Sequence, residues 1–401
     1  MTRSSKWTSI LFVLWMSLLT AGAAIPLAAQ SITTLHSFDG SDGGGPQGAL
    51  VQTTAGELYG TTPNDGANGD GTVYKITPSG TFTTVHSFNG ADGSGPLDAL
   101  IQATGGNFYG TTFFGGANGD GTVFKMTPSG TVTTLHSFDG SDGANPYGGL
   151  VQGTDGRFYG TALFGGSNSG GTVYKITPSG AFTVLHDFTG GADDSAYPYP
   201  TLIQASDGNF YGTTFSGGGA FEGTVFRMTP SGTVTVIHAF CLAGIPCPDG
   251  GNVQAGLVQA TNGNLYGMVA RGGSTTCTLN GYDGCGTIFE ISLSGTFATL
   301  HRFDVTDGGG PVASLIQAKN GNLYGVTPYG GANDACSGGC GTIFAITPAG
   351  MFMSLYSFCS ESGCADGSLP VGNLIQGTNG LIYGTTGLGG ADGDGTIYDF
   401  P

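Results

Sequence analysis

The chain has very little positive charge. Lys and Arg together number 10 of 401 residues, against 27 Asp and Glu. Two of those ten, Arg3 and Lys6, precede an apolar run over 10–19 and a small-residue site at Ala28 and Ala29. That layout predicts a secretory signal over residues 1–29, followed by one domain over 30–401. The run is shorter than the ~20 residues that a spanning helix requires, and no later run is long and apolar enough to cross a bilayer. Both tryptophans, Trp7 and Trp15, fall inside the signal. Without it, eight basic residues face twenty-seven acidic ones, a formal charge of −19. Such a polyanion repels nucleic acid and anionic lipid, which argues against both as partners.

Helical periodicity is also missing, so little helix is expected. Glycine, by contrast, is abundant at 78 residues, a level that often marks low complexity. Here the glycines alternate with aromatic and β-branched runs in register. Tyr-Gly pairs begin at Tyr59, Tyr109, Tyr159, Tyr211, Tyr266, Tyr324 and Tyr383, spaced by 50, 50, 52, 55, 58 and 59 residues. In the unit over 99–138, strand-like runs at 100–103, 107–112, 122–127 and 132–138 are separated by Gly-Gly, Gly-Asp-Gly and Pro-Ser-Gly turns. Four antiparallel strands in about fifty residues make one propeller blade. A solenoid coil is usually shorter, and an isolated sheet of this size could not bury both faces. The expected fold is all-β, a seven-bladed β-propeller of four-stranded antiparallel blades.

Named a to d in chain order, the strands also explain where the domain starts. The opening run over 32–38, within "ITTLHSFDG", matches strand d and has no a, b or c before it. The last unit supplies a, b and c but no d. Pairing the N-terminal strand with the C-terminal blade therefore closes the ring and removes exposed sheet edges.

The units resemble the Gloeo-Verruco (GloVer) tandem repeat of exported bacterial proteins, with its motif "DG.LYGTT..GG....GTVFKI" followed by "LHSF". The resemblance recurs seven times across residues 31–400 and extends more distantly to NHL-type propeller repeats. It implies an extracellular propeller, often with a C-terminal sorting anchor, and no defined activity. This sequence ends in "GTIYDFP" without such an anchor.

Repetition also bears on chemistry. His36, His86, His136, His186, His238 and His301 all occupy the d-strand motif, with Tyr356 in the seventh copy. A catalytic histidine acts in one place with one partner, so six equivalent copies predict a structural role, each bonded to a nearby strand or turn. The a–b and c–d turns are uniform, whereas the b–c and d–a connections vary. Varied loops on a rigid scaffold are where binding resides. On that face, Phe114, Phe164, Arg271 and Tyr329 are the candidate binding residues.

Asp39, Asp42, Asp139, Asp142, Asp304 and Asp307 lie on the same face and could hold Ca²⁺, which favours carboxylate oxygens. Their "DGSDG"-type loops lack the ligand series of an EF-hand, and Asp-Gly is ordinary turn chemistry. No other cofactor is expected. The cysteines fall in four close sets, Cys241/Cys247, Cys277/Cys285, Cys336/Cys340 and Cys359/Cys364. In an exported protein this placement predicts disulfides within each loop. Zinc is the alternative, set aside because the pairs look spread out and no histidine lies near them.

The composition leaves two main function classes, with a structural surface component as a third. One is a monomeric, secreted or periplasmic, non-enzymatic module that binds a glycan, surface polymer or protein through its loop face. The other is a hydrolase or lyase acting on polysaccharide, which would draw paired carboxylates from different blades. Glu57, Glu222, Glu290 and Glu361 are the only glutamates and occupy non-equivalent positions, so no catalytic residue is assigned.

Overall fold

A computed structural model describes residues 31–191, 194–244, 247–274, 276–279 and 281–401. The expected signal over 1–29 lies outside these residues. Seven four-stranded antiparallel sheets form seven blades, each in the order a-b-c-d. In blade two the strands are Ile101–Gln102, Phe108–Thr112, Thr122–Met126 and Val132–Ser137. Among the described residues, helix is confined to a single turn at Ser362–Cys364, and no helix is long and apolar enough to cross a membrane.

The repeated "YGTT" motif of strand b records how blades stack. Every residue of Phe108–Thr112 is buried. Gly110 leaves room for strand c's Phe124, since a Cβ there would stand 2.8 Å from both Phe124 Cζ and Leu100 Cδ2. Tyr109 sets its ring 4.2 Å from Phe158 of blade three. Thr111 donates to the Gly148 carbonyl of that same neighbour at 3.1 Å. Thr112 pairs with Thr122 of strand c at 2.8 Å in a buried hydroxyl contact. One short motif thus serves both its own sheet and the next.

Seven buried apolar clusters follow, each shared by two consecutive blades. Strand-a glutamines add a polar ladder, in which Gln204 accepts from the Thr154 amide and Gln259 from the Ser206 amide, both at 2.8 Å.

Thr33–Ser37 pairs antiparallel with Thr396–Phe400, so the first strand of the domain is strand d of blade seven. Phe38, Leu50, Leu58, Tyr74, Tyr383 and Ile397 form the core of the closing seam. Gln52 accepts from the Thr378 amide at 2.8 Å across it.

The uniform face has a packing cause beyond turn geometry. In every c–d pair the register shifts by one residue. The carbonyl of the extra residue meets the c–d turn glycine of the next blade, as Leu135 meets Gly180 (φ +95°). A side chain at Gly180 would have to give way there and would also strain the backbone.

Candidate functional site: the axial mouth

On the opposite face, each d–a connection turns inward just before its short strand a. The residue five positions ahead of the strand-a Gln is Gln47, Leu97, Tyr147, Tyr199, Gln254, Val312 or Val371, according to blade. All seven line one cavity of about 410 Å³, joined by Asp98, Thr201, Ser314 and Asn373 and by Asn64, Tyr329 and Leu388 of the b–c loops. A cavity touched by every blade is the mouth of the central channel.

Its walls are unlike one another. Tyr147 and Tyr199 pack with ring centroids 3.9 Å apart, and Phe113 and Phe215 extend this aromatic side at 6.0 and 6.2 Å. Burial lifts both phenols above their ordinary range, and Tyr199 and Asp98 add to the effect at Tyr147. The remaining sides carry the amides of Gln47, Gln254 and Asn373.

The floor is a hydrogen-bonded belt between blades. Asp98 Oδ2 accepts from the Gly149 amide at 2.7 Å and from Thr201 Oγ1 at 2.5 Å, while Oδ1 accepts from the Ala99 amide at 2.7 Å. One carboxylate in blade two therefore ties down the approaches to blades three and four. Across the channel, the Gly256 amide donates to Ser314 Oγ at 3.0 Å and the Ser314 amide to Asn373 Oδ1 at 2.5 Å.

The model of the Gloeobacter/Verrucomicrobia repeat matches residues 21–219, 99–278 and 202–401, which together cover nearly the whole chain. The chain belongs to the Gloeobacter/Verrucomicrobia repeat family. Among solved structures it is similar to the extracellular domains of two B. thetaiotaomicron proteins described as hybrid two-component systems. Both have a TM-score of 0.58 over 92% of this chain, at 13% and 11% identity. The chain spans about two fifths of their length, 41% and 39%. A Bacteroides fragilis protein described as a 6-phosphogluconolactonase is also similar, with TM-score 0.50 and 17% identity over 81% of this chain and 86% of that one. These likenesses show the propeller fold. No curated protein sequence matches.

Within this Gloeobacter/Verrucomicrobia repeat, the four residues expected to bind occupy one b–c position. Each forms a backbone bridge to the d–a loop of its own blade: Phe114 to Ser94, Phe164 to Ala144, Arg271 to Gly251 and Tyr329 to Gly309. Tyr329 lines the mouth, and with Arg271 it also lines an adjoining recess of about 210 Å³. Phe114 and Phe164 stand outside the cavity, 53% and 43% exposed on the rim. The inner ring with Asp98, Tyr147 and Tyr199 was not singled out from sequence. Its signal was a position that varies from blade to blade amid otherwise regular neighbours.

The repeat's histidines and loop aspartates form pairs. His36 Nε2 lies 2.7 Å from Asp42, His86 2.9 Å from Asp92, His136 2.8 Å from Asp142, His186 3.3 Å from Asp194, His238 3.2 Å from Asp249 and His301 2.8 Å from Asp307. In the seventh copy Tyr356 donates to Asp366 at 2.7 Å, so the aspartate keeps its partner when the histidine is replaced. Four of the imidazoles also stack on the next blade's strand d, as His136 does on Phe182 at 3.8 Å.

The six aspartates considered for calcium are therefore engaged in their own loops. Asp42, Asp142 and Asp307 each give one oxygen to a histidine and the other to a loop amide. Asp39, Asp139 and Asp304 accept from Ser41, Ser141 and Thr306, whose hydroxyls hold these carboxyls below their ordinary range. His136→Ala should cost about 1–3 kcal/mol, because a half-buried Asp142 oxygen loses its partner. A chemical denaturation midpoint equal to that of the parent would show that the pair carries no stability.

The cysteines stand in four pairs, Cys241–Cys247, Cys277–Cys285, Cys336–Cys340 and Cys359–Cys364, each within one loop of the variable face.

Proposed function

We propose that this chain is an exported binding propeller without catalytic activity, and that its axial mouth takes a carbohydrate. The observation that carries this reading is the convergence of seven blade-specific side chains, on an otherwise uniform repeat, onto one cavity of about 410 Å³. That size falls within the ~300–1,000 Å³ of small-molecule sites. Tyr147 and Tyr199 offer an aromatic wall with polar tips, suited to the C–H faces and hydroxyls of a sugar ring. Gln47, Gln254 and Asn373 supply amide donors and acceptors for further hydroxyls. On the rim, Phe114, Phe164, Arg271 and Tyr329 would meet a longer chain. Their exposed rings also favour the competing reading, a surface polymer or protein docked on the same face.

Hydrolysis or lysis of a polysaccharide is less well supported. Two-carboxylate chemistry needs a second acid at a set distance, and among the described residues Asp98 is the one carboxylate lining the mouth. Its oxygens are occupied by Thr201, Gly149 and Ala99. An exported location accords with the signal-like residues 1–29, the local cysteine pairs and the extracellular placement described for two structural neighbours.

A glycan array paired with a polysaccharide turnover assay tests the proposal. The expected result is binding without turnover, weakened at least tenfold by Tyr147→Ala, or about 1.4 kcal/mol. Binding unchanged in both Tyr147→Ala and Gln254→Ala would move the site off the axis. Turnover abolished by Asp98→Asn would replace the binding module with an enzyme.

A further inference from the structure

Two of the cysteine pairs are not spread apart. Cys336 and Cys340 belong to the b–c loop of blade six, and Cys359 and Cys364 to the connection that leaves its strand d. All four sulfurs lie within 4.8 Å of one another, and Cys336 Sγ is 3.6 Å from Cys359 Sγ. Among the described residues, no other group of three or more His, Cys, Asp or Glu gathers closely enough to hold an ion.

Four thiolates around one zinc, at the usual ~2.3 Å Zn–S bond length, stand about 3.8 Å apart. To reach that arrangement the two sulfurs of each disulfide move apart once reduced, while the sulfurs of different pairs already stand within 4.8 Å. Its surroundings suit a closed site, because Cys340 is buried and the other three pack, half-buried, against an apolar cluster that includes Ile343 and Phe358. The loops "CSGGC" and "CSESGC" are short and hold glycines at positive φ, Gly338, Gly339 and Gly363. An all-sulfur donor set selects zinc-like ions over calcium or magnesium.

We propose that Cys336, Cys340, Cys359 and Cys364 form a redox-gated metal site, holding two disulfides when oxidised and one Zn²⁺-class ion when reduced. Two molecules of a dithiol reductant supply the four electrons and four protons that cleave the two S–S bonds. Each dithiol leaves as its own intramolecular disulfide. The four thiols then release four protons as they bind one divalent ion. The two states connect the loops differently: each disulfide closes its own loop, whereas the ion joins the b–c loop to the d–a connection on the binding face.

The test uses the mature chain, reduced with excess dithiol, freed of it anaerobically and titrated with Co²⁺ as a spectroscopic stand-in for Zn²⁺. The expected result is one Co²⁺ per chain, with thiolate charge-transfer and tetrahedral visible bands that Zn²⁺ abolishes. Cys336→Ser and Cys364→Ser should each lose these bands, whereas Cys241→Ser should keep them. Circular dichroism verifies that each variant retains its sheet structure. Free thiols without cobalt uptake, bands that persist in Cys336→Ser, or four cysteines that resist reduction in the folded chain would each overturn the proposal.

Discussion

Deleting residues 32–38 from the mature chain should unfold the whole domain, not one corner of it. The deletion removes the d strand of blade seven and with it the pairing to Thr396–Phe400. It also takes Phe38 and Ile32, both buried, out of the seams on either side of that blade. Each large apolar side chain contributes about 1.5–3 kcal/mol, and the strand's hydrogen bonds and the stack of His36 on Phe82 at 3.9 Å add to this. Set against the ~5–15 kcal/mol that separates most folded domains from unfolding, the loss is large. An open ring would also expose the edge strand Thr396–Phe400 to aggregation. The expected readout is lost cooperativity in thermal melting, restored in part by a synthetic peptide of residues 31–38. A truncated chain that melts at the parent temperature would show that closure contributes nothing.

Gly110→Ala should clearly destabilise the propeller core through a single added methyl group. The new Cβ would meet Phe124 and Leu100 at 2.8 Å, and both side chains are buried in the seam between blades one and two. Neither can move without displacing its neighbours, since protein interiors are close-packed. Overpacking of this kind costs about 1–3 kcal/mol, which should lower the denaturant midpoint without changing the slope. The equivalent glycines of the other six blades meet a strand-c aromatic and the Leu just ahead of strand a in the same way. Gly267→Ala in blade five should therefore behave alike. A neutral result at both positions would mean that the seams are looser than the geometry describes.

Much of this architecture was legible from residue order. Blade number, strand order, the orphan first strand and the split between a uniform and a variable face all follow from repetition, because each is a property of one unit compared with its copies. The strand boundaries came close, with strand a the exception. A run expected over 100–103 pairs only at Ile101–Gln102, because Leu100 packs into the seam between blades one and two and Ala103 enters the turn to strand b.

The candidate site was less legible. The varied b–c position drew attention to Phe114, Phe164, Arg271 and Tyr329, yet only Tyr329 of these lines the axial cavity. The inner ring lies on the d–a approach, where Asp98 meets Thr201 across 103 residues of sequence. Such a contact exists only because seven inward-turning segments converge on one axis, and no single unit contains that information. Cys336 and Cys359 belong to different loops of blade six, and only the folded blade brings their sulfurs to 3.6 Å.

By itself the sequence determined the unit, its copy number and the way the chain closes, since these rest on local hydrogen bonding and on apolar patterns that repeat. Only the tertiary structure decided which varied side chains share a cavity and which cysteines share a centre. The shared cavity depends on how far each blade is rotated from the next, a rotation set by packing across seven seams at once, and the shared centre on how two loops of one blade fold together.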